Sequence, residues 1–261
     1  MKVIATIILV LIILAKVFGG KNNNKGTPTS PPKRSTPLTQ SRPSRHNSAL
    51  PTVEYTPMYT AERPKSKKRL QELKQGGYII FDTETTGLSA RNDKIIELAL
   101  LRCDKDGNIT RYSSLFNPGR PLDGRIQSIT GLTDADLASA PRIEEHLPYI
   151  LSFIGDLPLV AHNASFDGNF LSAELTAAGM RGNFVMIDTL WMSRRAFPGL
   201  PNYKLATLID RFGLSDGPQS HRAPGDVECT KKLFDLCVDE LLRQREAELA
   251  ARRAAKANAA Q

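Results

Sequence analysis

Asp82 and Glu84 close a run of strand-forming residues, Tyr78, Ile79, Ile80 and Phe81, and are separated by one threonine. Successive strand residues point to opposite faces, so carboxylates at i and i+2 leave the same face, about 6–7 Å apart along the chain. Two anions held this close repel, and a hard divalent cation with oxygen ligands, Mg²⁺ or Mn²⁺, relieves the repulsion. Two later segments also set an acid beside a strand end or helix start. His162, Asn163, Phe166 and Asp167 follow a short apolar run, and His221 precedes Asp226 by five residues. Taken alone, Asn163 reads equally as a helix cap, and Asp167 and Asp226 as acids complementing a helix dipole. A loop histidine is different: it titrates near neutral pH and can take a proton from water, as phosphodiester hydrolysis requires.

The elements that must position these groups follow from periodicity and turn signals. Tyr78–Thr83, Ile95–Cys103 and Ile109–Phe116 read as strands, the last two joined through the hairpin dipeptide Asp106-Gly107. Thr133 to Asp136 has the form of a helix start, and Ile143, Leu147, Ile150, Leu151 and Ile154 share a helical face. A short strand ending at His162, a helix from Ser165 to Ala178, a strand at Phe184–Ile187 and three further helices follow, the last from Pro224 to Leu242. Antiparallel strands first and strand–helix alternation afterwards predict an α/β fold, a mixed sheet flanked by helices. Asp188 reads as a helix cap and Trp191 as a packing residue. Cys103, Cys229 and Cys237 lack metal-site spacing and are odd in number, which points to reduced thiols.

Charge divides the chain. Its 261 residues carry a net charge of +8, yet residues 75–240 hold 16 basic and 22 acidic residues. A nucleic-acid binder working through a diffuse positive field is excluded for that part, which must instead use cations or a local basic rim. Residues 19–74, rich in Pro, Ser, Thr, Asn and Lys, read as a disordered basic tether, with a short helix possible from Leu70 to Gln75. Residues 1–18 contain an apolar run from Val3 to Ala15 broken only by Thr6. That segment reads as a transmembrane anchor or as a cleaved signal; the basic residues that follow it favour an anchor with the domain on the cytoplasmic side of the inner or cytoplasmic membrane. Residues 243–261 read as an Ala-rich charged extension of the last helix that then frays.

Taken together, Asp82 to Glu84, His162 to Asp167 and His221 to Asp226 resemble in order and spacing the three motifs of the DEDDh 3′-to-5′ exonucleases, the family of the epsilon proofreading subunit of bacterial DNA polymerase. The resemblance covers residues 75–242, including Ser128 to Thr133 and Tyr203 to Leu208; it leaves out the anchor, the tether and the tail. It implies an RNase H-like sheet and two Mg²⁺ or Mn²⁺ ions. Asp82 would bridge both, Glu84 and Asp226 would complete one shell, Asp167 would act on the second ion largely through water, and His221 would be the general base. By the same resemblance Thr85, Thr86, Leu88, Thr130, Gly131, Leu132, His162, Asn163 and Phe166 would surround the terminal nucleotide. The implied substrate is a nucleic-acid 3′ end, single-stranded DNA before others, with no particular polymerase or repair partner indicated. RNA trimming, short-oligonucleotide hydrolysis and a non-catalytic nucleic-acid-binding module of the same fold stand as alternatives.

Overall fold

The computed structural model describes residues 52–215 and 222–259. The chain from Ala49 onward is one compact unit. It contains strands β1 (Tyr59–Glu62), β2 (Tyr78–Thr85), β3 (Ile95–Cys103), β4 (Ile109–Leu115), β5 (Leu159–Ala161) and β6 (Phe184–Asp188). Its helices are α1 (Lys67–Lys74), α2 (Gly124–Thr130), α3 (Asp134–Ala138), α4 (Ile143–Ile154), α5 (Ser165–Ala177), α6 (Thr189–Ala196), α7 (Leu205–Phe212) and α8 (Ala223–Asn258). The sheet order is β1-β6-β5-β2-β3-β4. β2, β3 and β4 form the expected antiparallel meander, whereas β1, β6, β5 and β2 run parallel.

The pleat of β2 sorts its residues between two cores. Tyr78 and Ile80 join Ala99, Leu101 and Cys103 under Leu233, Phe234, Cys237 and Val238 of α8. Ile79 and Phe81 join Leu98 and Leu100 over α4 and α5, through Leu147, Ile150, Phe170 and Leu171. The period-2 alternation thus sends Asp82 and Glu84 to the side of α8 and Thr83 to the side of α5. The three cysteines form no disulfide.

Residues 59–74 correct the reading of a tether that runs to position 74. β1 pairs in parallel with β6, and α1, capped by the Ser66 hydroxyl on Arg69 N–H, buries Leu70 and Leu73 against the α8 core. Arg69 grips Glu62 with two hydrogen bonds of 2.6 and 2.9 Å, tying the strand to the helix. Composition concealed this because only two apolar side chains of α1 face inward, on a helix otherwise Lys- and Arg-rich, and a four-residue edge strand has no room to show alternation. Six of the basic residues assigned to the tether therefore lie within the described fold, between Arg63 and Lys74. At the other end, residues 243 onward extend the last helix as expected, and α8 runs on to Asn258, with residues 250–259 exposed. The apolar run at 3–18 lies outside the described residues; among those described, no helix is long and apolar enough to cross a membrane.

Because Leu70 and Leu73 are 2% and 1% exposed, Leu70→Ala or Leu73→Ala should lower unfolding free energy by about 2–5 kcal/mol. A chain beginning at residue 76 should unfold at lower denaturant than one beginning at residue 52. Equal midpoints would show that α1 and β1 are dispensable to the fold.

Candidate active site

Three elements converge on one point. Asp82 and Glu84 come from the carboxyl end of β2 and Asp226 from the first turn of α8, and one ligand oxygen from each lies within 4.8 Å of the others. The fourth acid arrives from the opposite face of the sheet. Pairing of β2 with β5 stops at Ile80, so the Thr83 N–H has no strand partner on that side. Asp167, at the start of α5, fills the gap: one carboxylate oxygen accepts from Thr83 N–H at 3.1 Å and from the Thr83 hydroxyl at 2.7 Å. Gly168 follows because the helix passes tightly over β1 and β6; a Cβ there would collide with Met186 and with the Tyr59 ring.

Burial and mutual repulsion hold this cluster far from ordinary carboxylate behaviour. Asp82 is pushed well up by desolvation and then by Asp167, Asp226 and Glu84. Desolvation, then Asp226 and Glu97, raise Glu84 to about 8, while Arg222 opposes the shift. Asp226 rises to about 7 through burial and Glu97. Asp167 also rises to about 7 through burial, despite its hydrogen bonds from Thr83. An all-carboxylate donor set suits a hard divalent cation. Asp82, Glu84 and Asp226 would hold it, with Asp167 behind them.

Glu97, which the sequence reading passed over, organises the approach of α8. It lies directly across from Glu84 in the β2–β3 register and is 2% exposed. Like charges opposed on one sheet face destabilise the pairing, and a buried carboxylate needs a partner. Arg222 supplies it, with Nε at 3.1 and 2.9 Å from the two oxygens and Nη2 at 2.6 Å, and Ala223 N–H adds a bond of 3.0 Å. The N-terminus of α8, and with it Asp226, is thereby clamped to β3. The signal was present in the sequence as one acid inside the apolar run Ile95, Ile96, Leu98, Ala99, Leu100, Leu101.

The remaining expected site residues divide. Thr85 donates its hydroxyl to Gly87 O at 2.6 Å, and the Thr86 hydroxyl engages Asp93, Lys94 N–H and Arg120, so both shape the turn after β2. Leu88, at the tip of that turn, is 82% exposed. Thr130 and Leu132 are buried; the Thr130 hydroxyl closes α2 through Ile126 O and Leu132 N–H, while Gly131 takes the left-handed conformation at φ 72°. Leu132 packs with Ile96, Leu122 and Leu137 in a small separate cluster. His162 is a brace: Nε2 lies 2.8 Å from Tyr203 O and Nδ1 2.9 Å from the Thr189 hydroxyl. A carbonyl only accepts, so Nε2 carries the proton, and burial lowers the ring's pKa and keeps it neutral. Asn163 is exposed in the left-handed region, φ 64°, where asparagine is tolerated, and its N–H reaches Asp188. Asp188 also caps α6, and Trp191 packs half-buried beneath the Arg63 guanidinium, as their sequence positions suggested. Phe166 is half-buried beside Phe170. His221 lies outside the described residues.

A mixed sheet with clustered acids at the carboxyl end of its central strand defines a class of phosphodiester-cleaving enzymes. Residues 79–234 match the family model described as Exonuclease, and the chain belongs to that family. It is 37% identical over 170 residues to a DNA polymerase III subunit epsilon of Treponema pallidum, an alignment covering 64% of this chain and 79% of that protein. To the corresponding subunit of Aquifex aeolicus it is 33% identical, with 68% and 88% covered. To a PolC-type DNA polymerase III of Bacillus cereus it is 40% identical over 168 residues, which is 64% of this chain but only 12% of the polymerase. A structure of Exonuclease X in complex with 5′-overhanging duplex DNA superposes with a TM-score of 0.50 at 31% identity, covering 63% of this chain and 90% of that one.

The raised carboxylates set the pH dependence of the metal-free fold. The native state holds protons that the unfolded chain releases near pH 4, so stability is greatest at low pH and falls as pH rises toward about 7–8. Mg²⁺ or Mn²⁺ should restore it, most strongly above pH 8, with protons released on binding. Melting curves from pH 5 to 9 with EDTA and with Mn²⁺ test this; a metal-independent melting temperature at pH 8.5 would contradict a cation site at these acids.

Proposed function

We propose that the chain is a metal-dependent 3′-to-5′ exonuclease that releases nucleoside 5′-monophosphates from DNA 3′ ends. The observation that carries the reading is the meeting of Asp82 and Glu84 of β2 with Asp226 of α8 within 4.8 Å, with Asp167 held behind them. The family match and the likeness to epsilon subunits support it, as does the likeness to an exonuclease solved with duplex DNA. When bound, two Mg²⁺ or Mn²⁺ ions would acidify a water and offset charge on the departing 3′ oxygen.

The side chains then have distinct tasks. Asp82, Glu84 and Asp226 hold charge at the scissile phosphate, and the Thr83–Asp167 bonds keep the fourth acid from rotating away. His221 is the proposed acceptor of the water's proton. The Glu97–Arg222 clamp precedes α8 and fixes where Asp226 stands. Leu88 and Phe166 offer apolar surface to the terminal nucleotide.

Digestion of matched 5′-labelled single-stranded DNA, duplex DNA and RNA with Mg²⁺ or Mn²⁺ tests the reading. The wild type should shorten DNA from its 3′ end and liberate 5′-monophosphates, whereas Asp82→Ala should lose at least about a thousandfold in rate while remaining folded. Near-wild-type rates in Asp82→Ala would refute the site, and faster digestion of RNA would move the substrate assignment.

Residues 1–18 and the basic stretch after them are proposed to tether the domain to the cytoplasmic face of a membrane. The support is the apolar run from Val3 to Ala15 and the excess of Lys and Arg on its carboxyl side. The full chain should resist extraction by high salt and alkali and require detergent, while residues 52–261 should be recovered soluble and equally active. A shortened species outside the cell would establish cleavage and export instead.

A further inference from the structure

The segment upstream of the family match reaches the substrate side of the molecule. Val53 N–H bonds to Arg91 O at 2.9 Å and the Thr52 hydroxyl lies 3.2 Å from Asn92, so the segment is fastened to the loop that follows Leu88. It is fastened again at its other end. Met58 N–H donates to the Ser172 hydroxyl at 2.9 Å, Met58 O accepts from Phe184 N–H, and the Tyr59 hydroxyl reaches Asn169 at 3.1 Å. Between these anchors sits Tyr55, which packs half-buried and lines a cavity of about 270 Å³ with Leu88, Arg91, Phe166, Asn169 and Phe170.

Two of the residues lining this cavity neighbour the clustered acids in sequence. Leu88 follows Glu84 by four residues on the turn leaving β2, and Phe166 immediately precedes Asp167. Its walls combine the aromatic and aliphatic side chains of Tyr55, Leu88 and Phe166 with polar Ser89 and Asn169, and its rim carries the Arg91 guanidinium, whose ion pair with Glu54 at 3.3 Å is solvent-exposed. An exposed pair holds its partners weakly, so Arg91 can exchange Glu54 for a phosphate. An aromatic face and an aliphatic one, beside a guanidinium and an amide, fit a base of an unpaired strand with its backbone phosphate. A duplex end exposes only the outer face of its terminal pair and holds each 3′ base in pairing, so an unpaired base enters such a site more readily.

We propose that Tyr55, supplied from outside the segment that matches the exonuclease family, is a stacking wall for an unpaired base near the 3′ end, and that the segment carrying it biases the site toward single strands. The inference rests on the exonuclease reading and deepens it. Tyr55 is a specificity residue here; the chemistry stays with the carboxylates.

The test uses the full chain and three variants, Tyr55→Ala, Tyr55→Leu and Tyr55→Phe. Stacking on an aromatic side chain predicts that Tyr55→Ala and Tyr55→Leu raise KM for a single-stranded oligonucleotide about tenfold, with kcat within about twofold of wild type and Tyr55→Phe near normal. A second readout does not need turnover: in EDTA, 2-aminopurine placed singly at each of the last three nucleotides should be quenched at one position by the wild type and by Tyr55→Phe, and not by Tyr55→Leu. Wild-type KM and quenching in Tyr55→Leu would overturn the proposal. So would a fall in kcat and melting temperature with KM unchanged, which is the mark of a purely structural residue. If the wild type quenches but degrades no strand, the base subsite stands and the exonuclease reading fails; if it degrades strands without quenching at any of the three positions, the reverse holds.

Discussion

Electrostatic repulsion among buried carboxylates is the constraint around which the remainder of this molecule is arranged. Asp82, Glu84, Asp167 and Asp226 cannot all ionise where they stand without a cation, and protonation or metal must make up the difference. A cluster so unfavourable persists only because each member is fixed by something else. β2 is hydrogen-bonded into the centre of the sheet, α5 is tied to Thr83, and α8 is clamped to Glu97. The apolar layers on both sheet faces provide the stability that the site consumes.

Glu97 shows how the scaffold handles that constraint with opposite charge where a cation would be out of place. Its partner Arg222 also faces Glu84 closely enough to oppose the upward shift there, so one guanidinium both anchors a helix and tempers the cluster. Arg222 immediately precedes α8, the helix that carries Asp226. The position of Asp226 is thus fixed by a contact made only four residues before it.

The chemistry of the chain was more legible in its sequence than the outer architecture. Asp82 and Glu84 declared themselves through strand periodicity, which fixes face and spacing without knowledge of the fold. Asp167 and Asp226 did so only jointly with them, since either alone is a normal helix-start acid. The meander followed from strand-forming runs joined at Asp106-Gly107, and α4 from a clean helical apolar period. β1 and α1 did not, because their stability comes from docking onto β6 and α8, surfaces that local sequence does not display. The bracing contacts of His162 were hidden for a related reason: its partners Thr189 and Tyr203 are 27 and 41 residues away.

The Glu84–Glu97 pairing also bears on how the chain finds its fold. Along β3, Ala99, Leu101 and Cys103 face α8 while Leu98 and Leu100 face α4 and α5. Sliding β3 by one residue would exchange those sets and drive Glu97 into the apolar layer over α4, away from Arg222. Such a slip buries an unpaired carboxylate, a loss far larger than any exchange of one aliphatic side chain for another. The same residue that seats α8 therefore acts as a registration pin for the antiparallel half of the sheet, and disfavours the one-residue misalignment.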